Sequence, residues 1–531
     1  MRARAIAGTG FLLLALTLGR AQASNLVVCS EASPDFLNAQ LSTANTSFDV
    51  SEQIGDRLVE MKIGGSEIVP GLAESWSISP DGLKYTFHLR HGVKWQSNKE
   101  FTPTRDMNAD DVVFSFVRMM DRNNPFYKSA NGNFPMFLDL IAPYLQSVTK
   151  ADDDTVIMTL KSPLAPLLPS LSIQPFTIVS AEYAAKLEKI GKPELLDQDP
   201  IGTGPFHLVQ YQKDAVIRFA KFKDFWGNTA QPDRVAKVDN LIFAITPDPS
   251  VRYAKLRTNE CQVLRYPNPA DLPAMQANPN LKVAEANIAG TNYLRFNVTK
   301  KPLDNLKVRQ ALIMAVDHDA LTKTVFQGAG TTDPSLIPTS LWGYNPGLKP
   351  YPYDPEGAKK LLAEAGYPNG FSIDLWAIPV VRGYMPNGRR AAEMVQADWA
   401  RIGVKAKIVT YEWGEYLKRA REGQADIAML GSTWDYPDPS EILLGFVCGA
   451  AGNAGHWCNR TYTDAVQKAN VVTDQAERVK LYQEADQAVY DDAALMRFAD
   501  VKAYVPMRKD VHGFKLHFFG GQPFGGVSIG K

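Results

Sequence analysis

Two charged residues, Asp435 and Arg382, lie where each could bind one end of a small ligand. Asp435 comes shortly after the apolar run 427–430, which predicts a buried strand, and the chain then turns through prolines. Arg382 also follows a predicted strand, in a loop with Gly383 and Tyr384. Residues just beyond the strand ends of open α/β sheets line the ligand crevice. The sequence therefore predicts that both charged side chains face a cleft.

The two charges match the two ends of a short free peptide, an ammonium and a carboxylate. A buried site must pair both ends, because an unpaired buried charge is costly. An arginine suits the carboxylate, since its guanidinium donates two parallel hydrogen bonds. We therefore predict that Asp435 binds the ammonium and Arg382 binds the carboxylate. Asp438, three residues further on, is the alternative partner for the ammonium.

No catalytic arrangement emerges from the sequence. It contains no Gly-x-Ser-x-Gly elbow and no His-Glu-x-x-His motif. The segment 199–206 resembles a phosphate loop, but it lacks the Lys-Ser/Thr pair and is better interpreted as a turn into a strand. The cysteine and histidine spacings do not fit a zinc site. The sequence therefore predicts a binding protein that is not an enzyme and needs no cofactor or metal; a secreted peptidase is the alternative.

The N-terminus has the three parts of a secretory signal peptide. Met1-Arg-Ala-Arg is basic, residues 11–18 form an apolar stretch too short to span a bilayer, and Ala21-Gln-Ala23 is a cleavage site. We predict that residues 1–23 are removed. No later run of about 18 apolar residues occurs, so no membrane span is predicted.

Length and composition indicate a multidomain globular protein. A chain of 531 residues is too long to fold around a single hydrophobic core, so two or three domains are expected. Hydrophobic residues make up 45% of the chain and charged residues 21%, which is ordinary for a globular protein. Basic and acidic side chains both number 57, so no bulk charge indicates nucleic acid or anionic lipid as a partner.

The four cysteines, Cys29, Cys261, Cys448 and Cys458, indicate disulfides. An even number after a signal peptide favours two bonds, for which three pairings exist. Cys448 and Cys458 enclose a short glycine-rich segment that a bond could close with little strain. The preferred pairing is therefore Cys448–Cys458 with Cys29–Cys261.

The pattern of predicted elements differs between the two halves of the chain. Residues 84–90 alternate between polar and apolar, as in a half-buried strand, and similar hairpin-like strands occur throughout the first half. In the second half a strand at 372–376, a helix at 389–402 and a strand at 405–410 follow one another. Such alternation predicts an α/β lobe with a mostly parallel sheet. A two-lobed α/β protein with a cleft is the simplest architecture.

The chain resembles a known family, the bacterial periplasmic dipeptide-binding proteins, which are the family 5 solute-binding proteins of peptide ABC transporters. The matching stretches extend over nearly the whole mature chain: 29–34, 70–74, 85–90, 108–116, 200–206, 259–263, 266–271 and 405–420. The resemblance implies a two-lobed periplasmic binding protein fold and the same disulfide pairing. It implies lobe I at 24–285 and 505–531, with a subdomain inserted at about 56–200, and lobe II at 286–504.

The resemblance also implies a set of ligand-binding residues. The family's Arg-Pro-Tyr stretch, which binds the ligand carboxylate, corresponds to Arg382-Gly383-Tyr384. Its Gly-Trp-Thr-Gly-Asp stretch, which binds the ammonium, corresponds to 431–435, where serine replaces tryptophan and tryptophan replaces the second glycine. A threonine near the N-terminus corresponds to Thr43. The predicted ligand-binding residues are Thr43, Asn45, Arg382, Gly383, Tyr384, Ser432, Thr433, Trp434 and Asp435.

The function implied by the resemblance is peptide capture in the periplasm. A monomer would bind dipeptides, with tripeptides as an extension, and deliver them to an inner-membrane ABC permease. The lobes would close over the ligand about a hinge near residues 285 and 505. The same fold with longer peptides, glutathione, haem or a nickel complex as cargo is the alternative.

Overall fold

The computed structural model describes residues 23–411, 413–450, 452–517 and 519–530. The predicted signal peptide therefore lies outside the described residues, apart from Ala23. The strands are β1 (Asn25–Ser30), β2 (Val59–Met61), β3 (Ile68–Pro70), β4 (Ala73–Ile78), β5 (Lys84–Leu89), β6 (Leu145–Asp152), β7 (Thr155–Leu160), β8 (Phe206–Gln212), β9 (Val216–Lys221), β10 (Asn240–Ile245), β11 (Val263–Leu264), β12 (Leu281–Asn287), β13 (Gly290–Phe296), β14 (Gly330–Thr331), β15 (Ser372–Trp376), β16 (Lys405–Val409), β17 (Ile427–Thr433), β18 (Leu495–Arg497), β19 (Asp500–Arg508), β20 (Val511–His512) and β21 (Ser528–Ile529).

Helices alternate with these strands. They are α1 (Asn45–Ile54), α2 (Ala109–Met120), α3 (Pro125–Ser129), α4 (Pro135–Leu140), α5 (Leu167–Leu171), α6 (Ala181–Lys189), α7 (Leu195–Gln198), α8 (Gly227–Ala230), α9 (Pro249–Arg257), α10 (Leu272–Ala277), α11 (Leu306–Met314), α12 (His318–Phe326), α13 (Pro355–Glu364), α14 (Gly388–Arg401), α15 (Trp413–Arg421), α16 (Ser440–Leu443), α17 (Arg460–Ala469) and α18 (Gln475–Asp491). Across the described ranges, no helix is long and apolar enough to cross a membrane.

Sheet I is built mainly from the first half of the chain, in the order β12-β19-β11-β1-β10-β9-β8. The central strands β11, β1 and β10 are parallel, and the flanking pairs are antiparallel. Leu26 and Val28 of β1 are fully buried, so this strand lies in the core. The bond between Cys29 and Cys261 ties β1 to the segment before β11, with the two Cα atoms 5.8 Å apart.

A separate antiparallel sheet, in the order β4-β5-β7-β6, lies within the predicted insertion. In β5, Tyr85, Phe87 and Leu89 are buried while the residues between them are more exposed. The predicted half-buried strand is therefore confirmed. Helix α2 packs on β6 and β7 and begins with a capping box between Asn108 and Asp111.

Sheet II is built from the second half of the chain, in the order β16-β15-β17-β13-β18. The pairs β16–β15 and β15–β17 are parallel, whereas β13 runs antiparallel to both of its neighbours. The prediction of a mostly parallel sheet is therefore wrong at β13. Only Ile288 and Ala289 separate β12 in sheet I from β13, so β13 enters sheet II directly and without a crossover helix.

The two sheets are joined by two adjacent segments. β12 and β19 are antiparallel partners, with Glu285 opposite Tyr504. The chain passes from β12 to β13 of sheet II, and it returns from β18 of sheet II to β19. The predicted hinge at 285 and 505 thus falls on paired strands; the hinge and the lobe bounds stay predictions. A hydrogen bond from the Ala165 amide to the Asn470 carbonyl, 2.8 Å long, joins the insertion to the end of α17. The two halves of the molecule therefore touch.

Candidate ligand-binding site

Asp435 lies just beyond the end of β17, on a loop that sheet II holds in place. The Trp434 amide donates a 2.8 Å hydrogen bond to the Ala289 carbonyl and so fixes the start of this loop. The Asp435 side chain is half-buried, and within the described ranges no cation contacts its carboxylate. Burial raises the pKa of Asp435 to about 7. The described residues thus leave this carboxylate without a cation.

Asp438 is paired already. It is fully buried, and its carboxylate forms a 2.7 Å ion pair with Arg478 of α18. The Tyr482 hydroxyl donates to the same carboxylate at 3.2 Å, and so does the Ser440 amide at 3.0 Å. Because a buried ion pair satisfies this charge, Asp438 anchors the loop to α18 and has little capacity for a ligand ammonium.

Arg382 lies in the loop that follows β15. Its amide and carbonyl exchange 3.0 Å hydrogen bonds with those of Met385, so the loop forms a tight turn with Gly383 exposed at its tip. The guanidinium is stacked over the ring of Trp413, with Cζ 4.9 Å from the ring centre. No carboxylate among the described residues contacts it. The turn therefore presents a cation held by an aromatic ring.

The Arg382 turn packs directly on β17. At Gly431 there is no side chain, and a Cβ atom there would lie only 2.6 Å from Cδ2 of Tyr384. The Tyr384 carbonyl also accepts a 2.8 Å hydrogen bond from the side-chain amide of Asn292, the residue paired with Gly431 in sheet II. Glycine at 431 is thus needed for the close approach that brings the turn beside the strand leading to Asp435.

One edge of β17 is open beside this turn. On its β15 side, β17 is paired only at Ile427 and Ala428. The chain leaves β15 after Trp376, and the Ala377 amide then donates to Val409 of β16. Within the described residues, no strand covers this edge from Leu430 to the end of β17. Unpaired main-chain groups of this kind can hydrogen-bond an extended peptide.

The three residues before Asp435 differ in exposure. Ser432 and Thr433 are half-buried, and the Ser432 hydroxyl lies 3.3 Å from the Thr433 carbonyl. Trp434 is 1% exposed, and its indole N–H has no partner among the described residues. The tryptophan is thus part of the buried core beneath the loop.

Thr43 and Asn45 lie on the other half of the molecule, at the start of α1. Thr43 is exposed and Asn45 is half-buried. The turn before the helix is fixed by Asp35, whose carboxylate accepts hydrogen bonds from the hydroxyls of Ser42 and Ser47. No hydrogen bond in the described part of the chain joins Thr43 or Asn45 to sheet II. The structure therefore brings together the sheet II residues but not these two, whose ligand role stays a prediction.

Glu441 is the residue at this site that sequence reasoning missed. Its carboxylate accepts the Asp435 amide at 2.9 and 3.1 Å and the Tyr436 amide at 3.2 Å. From sequence, a glutamate in the first turn of a helix indicates only a favourable interaction with the helix dipole. Its position six residues after Asp435, across a proline-containing loop, gave no signal of this contact.

The predicted disulfides are both present. Cys448 and Cys458 are bonded, with their Cα atoms 4.6 Å apart, in addition to Cys29 and Cys261. The loop between Cys448 and Cys458 is also held by Arg295, which donates a 2.7 Å hydrogen bond to the Gly452 carbonyl. No group of His, Cys, Asp and Glu side chains in the described ranges is arranged to hold a metal ion.

An open strand edge lies beside a carboxylate and a guanidinium, neither of which contacts an opposite charge among the described residues, and this arrangement suits a ligand with two charged ends. The chain belongs to the bacterial extracellular solute-binding proteins, family 5, whose family model matches residues 67–454. The resemblance inferred from the sequence motifs is therefore confirmed. This is a family of solute-binding proteins and not of enzymes.

Named relatives and a solved structure match nearly the whole chain. The "Dipeptide-binding protein" of Escherichia coli is 50% identical over 527 residues, which cover 98% of this chain and 97% of that protein. The "Heme-binding protein A" of Haemophilus influenzae is 43% identical, covering 95% of this chain and 92% of that protein. A Pseudoalteromonas dipeptide-binding protein in complex with Met-Leu is 33% identical, with a TM-score of 0.79 and coverage of 95% and 100%. The two-lobed fold is thereby confirmed.

Proposed function

We propose that this protein captures short free peptides, dipeptides foremost, and delivers them to an ABC permease of the inner membrane. The observation that carries the proposal is the open edge of β17, with the Asp435 carboxylate at its end and the Arg382 guanidinium in the turn beside it, neither paired with an opposite charge among the described residues. A free peptide supplies the missing partner of each group.

The chemistry of the site follows from these groups. An extended peptide hydrogen-bonds through its main chain to the open strand edge, as an added strand does. Its ammonium binds the Asp435 carboxylate, and its carboxylate binds Arg382 in a bidentate geometry. Main-chain contacts do not depend on side-chain identity, so this site accepts many dipeptide sequences. A tripeptide fits if its carboxylate binds further along the Arg382 turn, whose tip at Gly383 is exposed.

Capture also requires closure of the two halves. Thr43 and Asn45 at the start of α1 contact the ligand from the opposite side once the hinge at β12 and β19 closes. A ligand that contacts both halves binds the closed form better and so shifts the population toward it. The protein works as a periplasmic monomer after removal of residues 1–23, and it is not an enzyme.

Haem is the second candidate ligand, because a relative of this chain is named for it. Asp435 separates the two candidates. A peptide brings an ammonium that neutralises this carboxylate, whereas haem has no ammonium and carries carboxylates of its own. A half-buried carboxylate that no cation of the described residues contacts therefore favours the peptide.

A thermal-shift screen tests the proposed function. The wild-type protein is melted with dipeptides, with N-acetylated dipeptides, and with haem, glutathione and a nickel–histidine complex. A ligand present at 100 times its Kd stabilises the folded protein by about 2.7 kcal/mol. We expect melting temperatures to rise with free dipeptides and not with the N-acetylated forms. A rise with haem or another cargo, and none with any dipeptide, would refute the proposal.

A further inference from the structure

Glu441 holds the part of the backbone that carries Asp435. It lies in the first turn of α16, and its side chain points back to the preceding loop. The carboxyl group accepts the Asp435 amide with both oxygens, at 2.9 and 3.1 Å, and the Tyr436 amide at 3.2 Å. Glu441 thus fixes the main chain at Asp435, just beyond the end of β17.

Within the part of the chain that the structure describes, the groups around this pair include no free cation. Asp438, on the same loop, forms an ion pair with Arg478 and accepts a hydrogen bond from the Tyr482 hydroxyl, both from α18. The neighbouring segment with Trp342 contributes an indole N–H, which donates to the Pro437 carbonyl at 2.6 Å. Among the described residues, no lysine, arginine or histidine contacts the carboxyl group of Asp435 or of Glu441. The carboxyl groups of Asp435 and Glu441 are therefore neighbours that no cation among the described residues neutralises.

Two ionised carboxyl groups do not coexist in such a pocket without a cation, so one of them keeps a proton. Burial raises the pKa of Asp435 to about 7. Burial, together with the charge of Asp435, raises the pKa of Glu441 well above its usual value. Near neutral pH, Asp435 is thus the member that ionises and Glu441 the member that stays neutral.

We propose that Glu441 is a positioning residue of the ammonium pocket, where as a neutral carboxylic acid it anchors the Asp435 backbone and so holds the Asp435 carboxylate in place. This rests on the proposed binding of a peptide ammonium by Asp435. The pocket then carries one negative charge, which a single α-ammonium neutralises. Below pH 7 the proton displaced by the peptide leaves Asp435 for solvent, and the Glu441 proton stays.

Two substitutions at Glu441 test the anchoring role. Glu441→Ala leaves the Asp435 and Tyr436 amides without an acceptor, and we expect the Kd for Ala-Ala to rise tenfold or more. Glu441→Gln keeps a carbonyl acceptor and an N–H donor but cannot ionise, and we expect it to restore most of the affinity lost in the alanine variant. Isothermal titration calorimetry at pH 7.5 gives both values. If Glu441→Gln binds as weakly as Glu441→Ala, or if Glu441→Ala binds like the wild type, the proposal is overturned.

An infrared measurement tests the proton itself. A carboxylic acid C=O band present in the wild type at pH 7.5 and missing from Glu441→Gln would assign the proton to Glu441, and we expect the band to persist when Ala-Ala binds. If this difference band is absent, the proposal is overturned, and this result does not depend on whether the alanine variant folds. Should the wild type bind no dipeptide at all, the proposed function fails, while this band still reports whether Glu441 is neutral.

Discussion

Replacing Asp435 by asparagine removes the charge that pairs with the peptide ammonium and hardly changes the size of the side chain. Truncating one partner of a buried charge pair costs about 2–5 kcal/mol. We therefore expect Asp435→Asn to raise the Kd for a dipeptide roughly 30- to 5000-fold, since each 1.4 kcal/mol is a factor of ten.

The pH dependence of binding gives the same prediction a second readout. The ammonium binds only the ionised carboxylate, and burial raises the pKa of Asp435 to about 7. Protonation therefore competes with the peptide as the pH falls, and wild-type affinity should drop about tenfold per pH unit below 7, or about 100-fold by pH 5. Above pH 8 the peptide loses its own proton, because an α-amino group has a pKa of about 7.7–8.0.

Isothermal titration calorimetry with Ala-Ala from pH 5 to pH 8 measures both effects. In Asp435→Asn, the decline between pH 7 and pH 5 should disappear along with most of the affinity. Thermal melting of the empty proteins controls for folding. Wild-type affinity that stays constant from pH 8 to pH 5, or an asparagine variant that binds like the wild type, would refute this account of the ammonium pocket.

Three further substitutions separate ligand contacts from structural ones. Arg382→Ala should weaken binding of free dipeptides by about 1.5–3 kcal/mol and have little effect on dipeptides with an amidated C-terminus, measured by calorimetry; equal losses for both would contradict the assigned role. Asp438→Asn leaves a buried arginine without its ion partner and should lower the stability measured by thermal melting, by about 3–5 kcal/mol, and an unchanged melting temperature would contradict this. Gly431→Ala should displace Tyr384, which lies 2.6 Å from the new Cβ, and weaken peptide binding, whereas Gly445→Ala, with no atom within 4 Å of its Cβ, should not; equal affinities would contradict the packing argument.

Strands and helices with strong local patterns could be predicted from the sequence. The strand predicted at 372–376 is β15, and the helix predicted at 389–402 is α14 to within one residue at each end. The strand predicted at 427–430 continues to Thr433, because its last residues pair with Gly290 and Thr291 of β13. This extension depends on a partner over 130 positions away and has no local signal.

The direction of β13 could not be predicted for a related reason. Residues 294–298 alternate between apolar and polar side chains, which indicates a strand. This pattern does not show in which direction the strand runs in the sheet. The direction is set by the two-residue link from β12, which sends the chain straight from sheet I into sheet II. That link connects two sheets and leaves no periodic pattern in the sequence.

Within the candidate site, the sequence predicted residue types better than it could predict partners. Asp435 and Asp438 lie in the same loop, and only the structure separates them, because Arg478 reaches Asp438 from a helix 40 residues further along. Glu441 is another case, since its contact with the Asp435 amide crosses a loop whose path the sequence does not determine. Sequence motifs do not reveal such contacts, because tertiary packing determines which side chains meet.

A crystal structure of the protein with bound Ala-Ala would show where the two charged ends of a dipeptide bind. We predict a dipeptide beside the open edge of β17, with its ammonium about 2.7–3.2 Å from the Asp435 carboxylate and its carboxylate bound by Arg382. A dipeptide bound elsewhere, or an Asp435 carboxylate paired with a cation of the protein while the peptide ammonium has another partner, would contradict the account.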